Sequence, residues 1–94
     1  MRIHIKFLAN IREITGESEI ELELHPGDSI EKLMENLELK YGKDFKEATT
    51  GFTASGIPNV SILVNGRDIY FLKGPETELK EGDVVVLIPP VAGG

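Results

Sequence analysis

Leu79-Lys80-Glu81-Gly82-Asp83-Val84-Val85-Val86-Leu87-Ile88-Pro89-Pro90 is the stretch whose reading decides the fold. Val84–Ile88 is apolar at every position, without polar alternation. That pattern belongs to a strand covered on both faces, at the centre of a sheet. Pro89-Pro90 ends it, because proline has no amide to give to a ladder. Leu79 to Asp83, with Gly82, contains the turn that leads in.

A central strand needs neighbours, and the other end of the chain supplies two. Residues 2–8 alternate strictly, with Ile3, Ile5 and Phe7 on one side and Arg2, His4 and Lys6 on the other. Residues 18–24 repeat the pattern, with Ile20, Leu22 and Leu24 against Glu19, Glu21 and Glu23. Both read as half-buried strands. Asn10 to Glu17, a connection containing Gly16, makes them an antiparallel hairpin. The basic row then faces the glutamate row, so the acidic stripe is a neutralised solvent face.

Pro26-Gly27 is a turn, after which Asp28 or Ser29 starts a helix. Asp28 and Glu31 have the spacing of a capping box. Ile30, Leu33, Met34, Leu37 and Tyr41 form an apolar face at helical spacing, and Gly42 stops the helix. Asp44 to Ala48 reads as a helical turn, and Thr49 to Asn59 as a loop. Val60–Val64 is a third strand. Asn65-Gly66 is a strong hairpin signal, since a type I′ turn needs positive φ at both positions. A short fourth strand is expected at Asp68 to Leu72.

The order is strand, strand, helix, strand, strand, strand. One main helix covers one face of a mixed sheet of about five strands, an α+β arrangement with one open face. A first hairpin, a helical crossover and a buried last strand beside the first describe a β-grasp, with strands one and five parallel at the centre. Ninety-four residues make one domain, 1–94, with 90–94 as a protruding tail.

Composition narrows the function. The chain has no cysteine, so disulfides, thiolate metal sites and cysteine nucleophiles are excluded. A net charge of -6 argues against nucleic acid, whose phosphates reward basic patches. No signal-like start or membrane-length apolar run is present, and a cytoplasmic location with no membrane partner is expected. His4 and His25 have no second ligand at metal-binding spacing, so no metal site is expected. Gly51 to Gly56 lacks the Lys-Ser/Thr pair of a phosphate loop. An autonomous active site is therefore not expected, nor a bound cofactor.

The tail stands apart. At average glycine use a closing Gly-Gly arises in roughly 1 chain in 200, so the pair alone reads as a flexible end. Here it follows a central strand and Pro89-Pro90, and five extended residues span up to ~17 Å. Proline limits the entropy lost on threading Pro89, Pro90, Val91, Ala92 and Gly93 into a partner. Glycine permits close backbone approach. The Gly94 carboxylate would be the reacting group, adenylated and then converted to a thiocarboxylate. No side chain need react. For the docking surface the candidates are Leu63, Phe71, Val85 and Leu87 on the open sheet face, each of which could instead fill the core. Arg67 is a weaker candidate.

With these residues in place, the chain resembles the MoaD/ThiS group of ubiquitin-like sulfur carriers, and within it the small subunits of molybdopterin synthase. The resemblance spans nearly the whole chain. It rests on Phe7-Leu8-Ala9-Asn10-Ile11-Arg12-Glu13-Ile14-Thr15-Gly16, Val64-Asn65-Gly66-Arg67, Leu79-Lys80-Glu81-Gly82-Asp83 and above all Pro89-Pro90-Val91-Ala92-Gly93-Gly94. The helix matches in pattern only.

The resemblance implies two partners. A ubiquitin-activating-like, MoeB-type enzyme would use ATP to adenylate Gly94. A MoaE-type large subunit of molybdopterin synthase would receive the thiocarboxylate and supply the catalytic side chains. Sulfur would pass to precursor Z to make molybdopterin, which holds molybdenum or tungsten. Rival readings are a modifier joined through Gly94 to target-protein lysines, a carrier for thiamine or tRNA thiolation, and a plain β-grasp binding module.

Overall fold

The computed structural model describes residues 1–90. Its strands are β1 (Arg2–Phe7), β2 (Glu19–Glu23), β3 (Ser61–Val64), β4 (Arg67–Asp68) and β5 (Val84–Ile88). Its α-helices are α1 (Ala9–Thr15), α2 (Ile30–Tyr41) and α3 (Lys43–Thr49). Two 3₁₀ turns follow β4, at Ile69–Phe71 and Gly74–Glu76.

The sheet order is β2-β1-β5-β3-β4. β5 lies at its centre, parallel to β1 and antiparallel to β3. The expected hairpin is present, with Arg2 opposite Glu23, His4 opposite Glu21 and Lys6 opposite Glu19. Arg2 Nε sits 3.6 Å from carboxylate oxygens of both Glu21 and Glu23, and His4 Nδ1 3.3 Å from Glu21. These pairs are exposed and contribute little to stability. Arg2 thus partly offsets the charge of Glu21 and Glu23.

The core forms where alternate strand residues meet the helices. Ile3, Ile5, Phe7, Ile62, Val64, Val85 and Leu87 point into it from the sheet, and Ile30, Leu33 and Leu37 from α2. The Phe7 ring meets Tyr41 edge-on at 5.7 Å between centroids and Phe45 at 6.3 Å. One strand residue thus fastens α2 and α3 to the sheet.

Four expectations are corrected. The Asn10 to Glu17 connection is largely α1, closed by Gly16 at φ 77° with its N–H on the Arg12 carbonyl. Its apolar signal is only Ile11 and Ile14, too short to read as a periodicity. The capping box does not form: Ser29 is the N-cap, and the Asp28 carboxylate accepts the His25 N–H at 2.9 Å. The fourth strand stops at Asp68, whose side chain accepts the Tyr70 N–H and starts a 3₁₀ turn instead. Finally, Val85 and Leu87 are fully buried at 0% exposure, which places them in the core and not on the open sheet face. Five consecutive apolar residues conceal which parity faces the helix.

The Asn65-Gly66 turn forms as expected, with φ of 51° and 85°. It does more than reverse the chain. Asn65 Nδ2 donates to Asp83 at 2.9 Å, and the Val84 N–H donates to Asn65 Oδ1 at 3.0 Å. Asp83 also accepts the Lys80 N–H at 2.8 Å. Two separate sequence blocks, Val64–Arg67 and Leu79–Asp83, therefore meet in space and set where β5 begins.

Candidate functional site: the end of the central strand and the open sheet face

Because β5 is fixed at its start, its end is fixed too. Phe7 pairs with Leu87 on one side and Ser61 with Ile88 on the other. The Leu8 N–H donates to the Leu87 carbonyl at 3.3 Å. Pro89 and Pro90 follow, half-buried, and end the ladder. The remaining tail candidates, Val91, Ala92, Gly93 and Gly94, lie outside the described residues.

The face turned away from the helices carries Val84, Val86 and Ile88 from β5 and Leu63 from β3, all half-buried. Lys6, Val86, Leu63 and Asp68 stand in one row across four strands. The result is an apolar strip between a basic and an acidic residue, leading to the root of the tail. Leu63 lies on it as expected. Phe71 is 76% exposed, on the 3₁₀ turn beyond β4. Arg67 follows the hairpin turn and is exposed. Sequence reasoning missed Val84, Val86 and Ile88, and the register with Ile5 and Phe7 is the information it lacked.

Among the described residues no group of three His, Asp or Glu side chains is placed to hold a metal ion. No helix among them is long and apolar enough to cross a membrane. Tyr41 is pushed up to about 12, first by burial, then by its hydrogen bond to Glu17 at 3.0 Å and that carboxylate's charge.

That displacement has a sign. The unfolded phenol ionises near its ordinary 10.0, whereas the folded one keeps its proton to about 12. The folded state binds more protons in between, so the stabilisation is complete below about pH 10 and is lost as pH rises toward 12. Denaturant midpoints measured from about pH 9 to about pH 12 should fall more steeply for this chain than for Tyr41→Phe. Parallel curves would remove Tyr41 from the account.

A hairpin, a helical crossover and a central parallel β1–β5 pair define the ubiquitin-like β-grasp class. Comparison with known proteins agrees. The model of the ThiS family matches residues 5–94. Small archaeal modifier protein 3 of Haloferax volcanii is 31% identical over 98 residues, covering 100% of both chains. The solution structure of small archaeal modifier protein 1 from Methanosarcina acetivorans has a TM-score of 0.80 at 31% identity, covering 99% of this chain and 96% of that one. A Pyrococcus furiosus protein assigned to subunit 1 of the molybdopterin converting factor has a TM-score of 0.79 at 33% identity, covering 97% of this chain and 99% of that one. The chain belongs to the ThiS family.

Proposed function

We propose that this chain is a sulfur carrier for molybdopterin synthesis, with the Gly94 carboxylate as its working group. The observation that carries the reading is the end of β5. The strand is paired to Leu87 on one side and to Ile88 on the other, two prolines close the ladder, and Val91-Ala92-Gly93-Gly94 come next in the sequence. Small residues on a defined root suit delivery into a narrow site. The likeness to the Pyrococcus furiosus protein supports molybdopterin as the destination.

The steps follow from acyl chemistry. A Gly94 carboxylate oxygen attacks the α-phosphorus of ATP on a MoeB-type enzyme, and pyrophosphate leaves. A sulfur nucleophile at the oxidation level of sulfide attacks the acyl carbon, and the bond to AMP breaks. The thiocarboxylate sulfur then attacks a carbon of the acceptor in a MoaE-type subunit, and the bond from that carbon to an oxygen leaving group breaks, the oxygen departing with the electron pair. Hydrolysis of the acyl–sulfur bond leaves sulfur on the acceptor and regenerates the carboxylate. The apolar strip of Leu63, Val84, Val86 and Ile88 is the docking surface of this cycle.

A second reading has its own support in the likeness to small archaeal modifier proteins. There a target lysine amine attacks the same activated carbonyl and an isopeptide bond forms. One genetic experiment separates the two. Deleting the gene should abolish molybdoenzyme activity, with rescue by the full chain. Intact molybdoenzyme activity together with loss of lysine-linked adducts would replace the first reading by the second.

A further inference from the structure

The chain has six aromatic residues, and they divide evenly. Phe7, Tyr41 and Phe45 pack together in or against the core. Phe52, Tyr70 and Phe71 are 69%, 82% and 76% exposed. Tyr70 and Phe71 meet edge-on at 5.2 Å. Aromatic side chains bury large areas when partnered and are enriched at binding hot spots. Three left in water call for an explanation.

Two of them line a groove. At the β4 edge of the sheet, a depression of about 440 Å³ lies between Phe52, Val60, Ile69, Tyr70 and Pro75. A second, of about 270 Å³, adjoins it beneath α2 and includes Ile30 and Met34. The two share Ile62, Ile69 and Pro75, so they lie side by side as two parts of one grooved surface. Its walls are apolar, and its described charged residues are all carboxylates: Asp68, Glu31, Glu35 and Glu38. Among the described residues, Glu35 alone of these four forms an ion pair, at 3.9 Å to exposed Lys32.

We infer that this groove docks a peptide segment of a partner protein in which lysine or arginine is interspersed with aliphatic or aromatic residues. The charge pattern selects that occupant. A low-dielectric wall edged by one sign of charge attracts the opposite sign and repels its own. Tyr70 and Phe52 add ring faces over which a cation can sit. An acidic or phosphorylated segment would meet four carboxylates instead. The groove lies mainly on the helix side of β3, whereas Val84, Val86 and Ile88 occupy the other face. Asp68, at the β4 edge, borders both, but the groove's aromatic and apolar walls are distinct from the docking strip, and the inference does not rest on the tail chemistry.

The test is selection from a random peptide library on the full chain, with counter-selection on Phe52→Ser/Tyr70→Ser. Both replaced side chains are exposed, so the variant should fold, as circular dichroism would verify. Recovered peptides should be rich in Arg or Lys with Leu, Ile, Phe or Trp. They should bind the variant roughly tenfold more weakly or worse. Glu35→Lys/Glu38→Lys should weaken them further, and added salt should weaken them in the unaltered chain. No enrichment, acidic peptides, or peptides that bind the aromatic variant equally well would overturn the proposal. So would self-association abolished by Tyr70→Ser, which would make a second copy the occupant.

Discussion

Phe7→Ala should lower stability by about 3–5 kcal/mol and the thermal midpoint by more than about 12 °C. Phe7 is fully buried and is the only strand residue whose ring touches both Tyr41 and Phe45. Its loss opens a cavity where sheet, α2 and α3 meet, and it also removes two edge-to-face contacts. A domain of this size holds only about 5–15 kcal/mol in total. The variant should sit close to its unfolding transition at ambient temperature. The exposed Tyr70→Ala should change stability by no more than about 0.5 kcal/mol. Equal effects in the two variants would mean that the core is not centred on Phe7.

Deleting Gly93-Gly94 should do the reverse. The core cluster draws on residues from Ile3 to Leu87. Removing two residues beyond it should leave the unfolding free energy within about 0.5 kcal/mol of the original. Activation by the cognate adenylating enzyme, read as ATP-dependent pyrophosphate exchange, should vanish. Gly94→Ala should retain the carboxylate but place a methyl group beside the reacting carbon. Misplacing a reacting centre by ~1 Å costs on the order of a hundredfold in rate. Activation that survives the deletion would exclude the terminal carboxylate as the working group.

Both predictions depend on features that differ in how far the sequence exposes them. Alternation in residues 2–8 and 18–24 revealed the first hairpin, because each of those strands has one wet face. The turn at Asn65-Gly66 was equally legible, since few residue pairs tolerate two positive φ values. Its second role was not. The bonds from Asn65 to Asp83 and Val84 join positions eighteen and nineteen residues apart, and local pattern carries no trace of them.

The open sheet face was half legible for a related reason. Buried strands lose the alternation that reports which residues face out. Val85 and Leu87 were indistinguishable from Val84, Val86 and Ile88 until the pairing with Ile5 and Phe7 was known. Aspartate at 68 offered two outcomes, strand or turn. Its side chain decided for the turn by accepting the Tyr70 N–H at 2.9 Å. That local bond exposes Tyr70 and Phe71 and shapes the acidic groove.

The most direct test is the intact mass of the full chain after incubation with ATP, a sulfide source and the cognate adenylating enzyme. The account predicts a mass gain equal to replacement of one oxygen by sulfur, absent without ATP and absent from the Gly93-Gly94 deletion. An unchanged mass, with the same enzyme active on another carrier, would contradict it.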